Sequence, residues 1–148
     1  MITKEYLLVP LFEKFIQYSY KGKRLKADGN RIKPQTINNY VYVLRYLREY
    51  EAEFDTVLRI RTANSQNKRV FMAERNYWKK FYLQFTGFLY RQKNCYDNYV
   101  GTVIKTIRIF FNFLNTEMGI NTGSFYKGFY ICREEVPIVT LMPGSYSF

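Results

Sequence analysis

Residues 97–117 read DNYVGTVIKTIRIFFNFLNTE and carry the clearest helical period in the chain. Apolar side chains recur there every three or four positions, so they fall on one face of a helix. They are Val100, Val103, Ile104, Ile107, Phe110, Phe111 and Leu114. Asp97 or Asn98 suits the positive N-terminal end of such a helix, and Gly119 is placed to close it. The stretch therefore predicts an amphipathic helix from about Asp97 to Glu117.

Two further helices are predicted in the first third of the chain. The first runs from about Tyr6 or Pro10 to Tyr20, where a Lys-Gly-Lys sequence ends it. The second follows a basic connector, with Pro34 in its first turn or Thr36 as its cap. The apolar stripes comprise Leu8, Leu11, Phe12, Phe15 and Ile16 in the first helix and Ile37, Tyr40, Val41, Leu44 and Leu47 in the second.

The middle of the chain is irregular before the helical period returns. Residues 62–67 are polar and predict a loop, whereas residues 55–60 are compatible with a short helix or a strand. A third helix is predicted roughly from Ala73 to Gln92. Its apolar side comprises Tyr77, Trp78, Phe81, Phe85, Phe88 and Leu89. Because the phenylalanines share faces with aliphatic residues, we predict that they form core rather than platforms for nucleic-acid bases.

The four helices predict an all-α bundle, formed as one domain by residues 1–122. The length of 148 residues and the apolar fraction of 47% suit a single domain with a substantial core. The pattern changes after Thr122, where residues 125–130 are aromatic and residues 136–141 are β-branched around a proline. Residues 123–148 are therefore predicted to be a linker or the start of a further element, although the aromatic part could also pack on the bundle.

The chain is strongly basic, with 23 lysines and arginines against 12 acidic residues and a net charge of +11. Such an excess favours polyanionic partners, because each neutralised phosphate releases a condensed counterion. Charge alone does not distinguish nucleic acid from an anionic membrane surface. The sequence shows no membrane-spanning run and no secretion signal, and Cys95 and Cys132 fit no zinc or CxxC pattern. We predict from these absences a cytoplasmic protein, and we favour nucleic acid and no membrane as its partner because the chain is so basic.

The composition also argues against catalysis by this chain. It has no histidine, which is the commonest general base and the commonest metal ligand. The sequence lacks a glycine-rich phosphate loop, a nucleophile elbow and a carboxylate cluster at ligand spacing. We therefore expect no enzymatic activity, no metal and no cofactor from these residues alone.

Two of the predicted helices combine cations with short hydrogen-bonding side chains on their polar faces. The face on the second helix comprises Thr36, Asn38, Asn39, Tyr42 and Arg45 with Lys33 just before it, and the face on the fourth comprises Asn98, Thr102, Lys105 and Arg108. Asn and Arg recognise base edges well, whereas Lys and Thr suit phosphates. We assign phosphate contacts to Lys33, Lys105 and Arg108 and base-edge contacts to Asn38, Asn39, Tyr42, Arg45 and Thr102. For any single residue, an ordinary solvated surface is an equal interpretation.

Four segments share features, in order along the chain, with one known family. They are Thr36–Tyr40 continuing to Leu47, Tyr77–Phe81 continuing to Tyr90, Asp97–Gly101 continuing to Phe111, and Glu134–Leu141. The first resembles the Thr-x3-Tyr-x3-Leu helix of the phage-integrase core-binding domain, a SAM-like four-helix bundle of tyrosine site-specific recombinases. The next two resemble the third and fourth helices of its bacterial mobile-element branch, and the last resembles the linker to the catalytic domain. The resemblance covers roughly residues 7–141.

This resemblance implies the DNA-binding half of a tyrosine recombinase, an integrase that acts in DNA integration and recombination. Such an enzyme closes on duplex DNA as a C-shaped clamp, and the second and fourth helices of its core-binding domain approach the major groove. The implied partners are a recombination half-site in duplex DNA and other recombinase protomers in a synaptic complex. The family's catalytic arginines, lysine, histidines and tyrosine belong to a C-terminal domain that would begin near Phe148, so residues 123–148 are expected to lead towards it.

Two other classes of function remain open on the sequence. A non-recombinase DNA-binding regulator would need a tight helix-turn-helix pair, and the connector at residues 24–33 is long for one. A helical protein-interaction module would use its charge only for solubility and would expose an apolar patch, for example at residues 125–130. RNA binding is a weaker alternative, because no RNA-binding signature is present.

Overall fold

A computed structural model of the chain describes residues 4–26, 28–62, 67–123 and 125–129. Within these ranges the chain forms four α-helices, a two-stranded antiparallel ribbon and one 3₁₀ turn. In chain order they are β1 (Glu5–Leu7), α1 (Leu8–Tyr20), α2 (Pro34–Glu53), β2 (Arg59–Arg61), α3 (Lys68–Arg91), α4 (Asp97–Thr116) and the 3₁₀ turn η1 (Phe125–Gly128). The predicted mainly helical class is confirmed, and α4 begins at the predicted residue and ends one residue early.

The core is built from aromatic side chains of all four helices. The six phenylalanines that were assigned to the core from their phase are each at most 3% exposed, namely Phe12, Phe15, Phe81, Phe85, Phe110 and Phe111. Trp78 of α3 packs edge-on against Phe111 of α4, with ring centroids 5.0 Å apart. The ring centroid of Phe12 in α1 lies 4.8 Å from that of Phe110, which also belongs to α4. Burial of these rings is the main stabilising term, because each removes a large apolar surface from water.

Helix α2 begins with Pro34 in its first turn, one of the two predicted starts, and Lys33 occupies the capping position. Proline suits this place because the first helical N–H groups have no partner within the helix. The assignment of Val41 to the apolar stripe was wrong, since its side chain is 46% exposed. The buried face centres on Leu47, and at about 100° per residue Val41 lies about 120° away from it. Tyr50 takes the buried place on that face instead.

The expectation of an all-α chain missed the β1–β2 ribbon. Residues 55–60 had been left as helix or strand, and the strand that forms is β2, which pairs antiparallel with β1 so that Tyr6 lies opposite Ile60. The Leu8 backbone N–H at the start of α1 donates to Leu58 O at 3.0 Å. This ribbon fixes the N-terminal segment to the connection between α2 and α3.

Helix α3 begins at Lys68, five residues before the predicted start at Ala73. The Asn67 side chain accepts a hydrogen bond from the Val70 N–H at 3.3 Å and caps the helix. The additional turn contains Val70, Phe71 and Met72, but Glu74 interrupts the apolar stripe between them and Tyr77, so the start could not be predicted from the helical period.

The aromatic segment after α4 packs on the bundle. Tyr126 of η1 stacks on Phe111 of α4, with ring centroids 5.6 Å apart and planes 14° from parallel. Phe129 stacks on Tyr82 of α3 at 5.5 Å, and both Tyr126 and Phe129 are buried. The core therefore continues beyond Thr122. Of the alternatives left open for this segment, residues 125–129 pack on the bundle. The linker-like residues Glu134–Leu141 lie outside the described residues.

Candidate nucleic-acid interface

Helices α2 and α4, whose polar faces were selected from the sequence, are neighbours in the fold. The Tyr46 ring of α2 meets the Tyr99 ring of α4 edge-on, with centroids 6.1 Å apart. Tyr42 and Arg45 of α2 are also close enough to Tyr99 to influence its ionisation. The exposed face of α2 thus adjoins the first turns of α4 along a tyrosine-lined seam.

The predicted residues of α2 divide into exposed and partly buried members. Exposed side chains are Lys33, Asn38, Tyr42 and Arg45, whereas Thr36 and Asn39 are partly buried. The Arg45 guanidinium lies 5.2 Å from the Tyr42 ring centroid, within cation–π distance. This contact holds Arg45 beside Tyr42 on the outer surface, so both side chains are available to a partner.

The predicted residues of α4 lie on two sides of its exposed surface. Asn98, Thr102 and Lys105 are exposed, whereas Arg108 is partly buried. The Thr102 hydroxyl donates to Asn98 O at 3.0 Å, which leaves its oxygen free to accept a hydrogen bond. At about 100° per residue, Thr102 lies closest to the Tyr99 seam with α2, whereas Arg108 is about 120° away from Thr102. Arg108 therefore faces η1 rather than α2.

The cations on these two faces have no acidic partner in the part of the chain that the structure describes. Among the described residues, no carboxylate lies within 4.0 Å of Lys33, Arg45, Lys105 or Arg108, whereas Arg48 pairs with Glu13 and Lys93 with Glu49. The one carboxylate of α4, Asp97, accepts a hydrogen bond from the Tyr90 hydroxyl at 2.7 Å. An unneutralised cation on an exposed face attracts anions, because its field is opposed only by solvent and salt.

The seam between α2 and α4 is uncharged at neutral pH. Burial and the neighbouring Cys95 and Tyr99 raise the pKa of Tyr46 to about 12. Burial also raises the pKa of Tyr99 and that of the Cys95 thiol. These groups therefore remain protonated between the two polar faces, and they add no negative charge that would repel a phosphate.

A groove between α4 and η1 contains a cation that the sequence reasoning missed. Lys105, Arg108 and Lys127 surround it, Ile109, Asn112 and Tyr126 complete its lining, and its volume is about 420 Å³. Lys127 was overlooked because residues 123–148 had been assigned to a linker or further element. The one feature of the sequence that could have indicated it is its position inside an aromatic run, because such a run is typical of a segment that packs on a core. The groove extends the basic surface of α4 away from α2.

Within the described ranges, no group of three or more histidine, cysteine, aspartate or glutamate side chains could hold a metal ion. No helix of the described residues is long and apolar enough to cross a membrane. Cys95 is a free thiol, and Cys132 lies outside the described residues.

Comparison of the chain with family models, with curated proteins and with solved structures finds no match.

Proposed function

We propose that this chain binds duplex DNA through the adjoining faces of α2 and α4, as the core-binding part of a tyrosine recombinase that acts in DNA integration and recombination. The observation that carries the proposal is the adjacency of the two exposed polar faces, whose cations have no acidic partner among the described residues. An α-helix fits the major groove of B-form DNA, and cations beside it reach the phosphates.

The side chains divide between the two tasks that DNA recognition requires. Lys33, Lys105 and Arg108 contact phosphates, and Lys127 joins them across the α4–η1 groove. Asn38, Asn39, Tyr42, Arg45 and Thr102 face the bases, and Asn98 and Thr36 complete the two surfaces. Asn and Arg form paired hydrogen bonds with adenine and guanine edges, so α2 contributes most of the sequence preference.

The resemblance to the phage-integrase core-binding domain supports the same two helices independently of their exposure. In that role the chain positions a catalytic domain over the scissile phosphate at a recombination half-site, and neighbouring protomers assemble around it. Binding energy comes mainly from phosphate contacts, whereas position along the duplex is selected by the base-edge contacts.

The salt dependence of duplex binding tests the proposal. Affinity for a short duplex is measured across a salt series for the original chain, for Lys105→Ala and for Lys14→Ala, an exposed lysine of α1 that serves as the matched control. The slope of log K against log salt should fall by about 0.9 for Lys105→Ala, since one phosphate contact is lost, and should stay unchanged for Lys14→Ala. Equal slopes for all three chains would overturn the assignment of Lys105.

Selection from a pool of random duplexes tests base recognition. Asn38→Ala should cost about 1–3 kcal/mol on the preferred sequence and relax the preference at one position. An equal loss of affinity for all duplex sequences would show that Asn38 contacts the DNA backbone instead of a base.

The protein-interaction alternative loses most of the exposed apolar patch that it requires in residues 125–129, where Phe125 alone among the aromatic side chains stays partly exposed. Its defining feature was an exposed apolar patch, and Tyr126 and Phe129 are buried against α3 and α4. A chain that binds no duplex even at low salt would nevertheless favour that alternative over DNA binding.

A further inference from the structure

A second groove lies on the other side of η1, between this turn and α3. Its volume is about 490 Å³, within the range of about 300–1,000 Å³ that is usual for ligand sites. The lining comprises Phe71, Arg75, Lys79, Tyr82, Phe125, Gly128 and Phe129. Neither α2 nor α4 contributes to it, so this groove is separate from the proposed duplex-binding faces.

The aromatic rings of the groove are only partly covered by their neighbours. Phe71 and Phe125 lie 4.8 Å apart with their planes tilted by 56°, and each keeps part of its surface exposed. Tyr82 is also partly exposed, although one side of its ring stacks on the buried Phe129. Partly exposed rings in a concave surface can stack on a flat, aromatic ligand group.

Two cations stand on the α3 side of the same groove. Arg75 and Lys79 are four residues apart, so they project from one face of the helix, and both are exposed. No described carboxylate lies within ion-pair distance of either, because the nearby Glu74 is buried and bonded to Arg59. The groove thus combines aromatic surfaces that can stack on a ligand with two positive charges one helical turn apart.

We propose that the α3–η1 groove binds single-stranded DNA. Bases stack on Phe71, Phe125 and Tyr82, and the phosphates between them contact Arg75 and Lys79. Rings combined with a positive groove are the shared chemistry of single-strand binding, in which stacking tolerates any base and cations follow the backbone. A duplex hides its bases in its own stack, so it does not fit this surface. The lining offers few polar groups that could select a ribose 2′-hydroxyl, so RNA gains no advantage over DNA.

Binding of matched oligonucleotides tests the stacking component. A labelled dT oligomer, an abasic oligomer of the same length and charge, and a uridine RNA oligomer are titrated with the 148-residue chain. Stacking contributes about 1–3 kcal/mol per base, which corresponds to about 5- to 140-fold in affinity. The dT oligomer should therefore bind at least about fivefold more tightly than the abasic one, and the Phe71→Ala variant should lose that advantage. Equal binding of the two DNA oligomers, or RNA binding tenfold tighter than dT, would overturn the proposal.

Adjacent lysines provide the control for charge. Lys79 lines the α3–η1 groove, whereas Lys80 lines a different one with Tyr50 and Phe54. Lys79→Ala should lower the salt slope for the dT oligomer by about 0.7, and Lys80→Ala should leave it unchanged. The same loss from both variants would show that dT binds by general attraction and would overturn the site. Both substitutions remove exposed side chains, so the comparison holds even if Phe71→Ala impairs folding.

Duplex binding and single-strand binding can be tested separately, because the two proposed surfaces contain different lysines. Lys105→Ala should weaken duplex binding and leave binding of the dT oligomer unchanged, and Lys79→Ala should do the reverse. Loss of both activities from either single variant would show that one surface binds both ligands, which contradicts a separate α3–η1 site.

Discussion

The ion pair between Arg59 and Glu74 should be the most sensitive polar contact of the fold. Arg59 Nη1 of β2 donates to Glu74 Oε1 of α3 at 2.6 Å, and the Glu74 side chain is 1% exposed. The Arg59 guanidinium also lies 3.7 Å from the centroid of the Tyr77 ring. Glu74 Oε2 accepts no hydrogen bond from the described residues and lies 4.0 Å from Arg61 Nη1. Arg59 is therefore the main compensation for a buried carboxylate.

Replacement of Arg59 by alanine should lower the free energy of unfolding by about 3–5 kcal/mol. That is the usual cost of leaving one member of a buried pair without its partner. Arg48→Ala is the matched control, because the Arg48 side chain is 54% exposed and pairs with Glu13, which is itself 42% exposed. An exposed pair contributes about 0–1 kcal/mol, so the control should unfold almost as the original chain does.

Urea denaturation measures the difference. Trp78, the single tryptophan, is buried in the core and reports global unfolding by fluorescence. With a denaturant dependence of about 2 kcal/mol/M, the midpoint for Arg59→Ala should fall by roughly 1.5–2.5 M. The double variant Arg59→Met with Glu74→Leu should recover most of this loss, since two apolar groups need no charge compensation. A loss below about 1 kcal/mol for Arg59→Ala, equal to that of Arg48→Ala, would show that Arg59 does not compensate a buried charge.

Three smaller predictions follow from other contacts. Because burial raises the pKa of Cys95, alkylation of that thiol in a Cys132→Ser variant should have its pH-rate inflection at higher pH than alkylation of free cysteine, and an inflection at or below that of free cysteine would contradict the burial. Asn115→Ala removes hydrogen bonds to Phe111 O and to Thr122, and it should cost about 1–3 kcal/mol in urea denaturation; an unchanged midpoint would show that these bonds contribute nothing. Gly119→Ala should cost about 1 kcal/mol in the same assay because φ is +68° there, and a stabilised variant would contradict that conformation.

Local periodicity predicted the helices and much of the core. Helix α4 shows this best, because its apolar residues recur at three and four positions over 20 residues and its buried face follows them. Val41 shows where local periodicity fails, since the burial of a side chain at the edge of an apolar stripe depends on where the neighbouring helix packs. The early start of α3 was missed because Glu74 interrupts the apolar stripe between Phe71 and Tyr77, and capping by Asn67 is a single polar contact.

Contacts between distant residues were beyond the sequence reasoning. The β1–β2 pairing joins residues 56 apart, as in Glu5 and Arg61, and each strand has only three residues. The pairing of Arg59 with Glu74 depends on that ribbon reaching α3. The groove cation Lys127 likewise acquires its neighbours only when η1 folds back on α4. Such pairs are specified by tertiary packing, which no local window contains.

The residues of the candidate site could be predicted from their type and their position in the helical period. Which of them lie together in the fold could not be predicted in this way. Exposure of Asn38, Tyr42 and Lys105 follows from the helical period. The seam of Tyr46 and Tyr99, which brings the two faces together, depends on how α2 crosses α4. Their function in DNA binding stays a prediction that rests on this adjacency and on the charge.

The most direct test of duplex binding is an NMR titration of the isotope-labelled chain with a short DNA duplex. Binding through α2 and α4 predicts that the largest amide shifts cluster around Asn38, Tyr42, Arg45, Thr102 and Lys105, and that they weaken as salt is raised. Shifts confined to α1 or α3, or no shifts at low salt, would contradict duplex binding through α2 and α4.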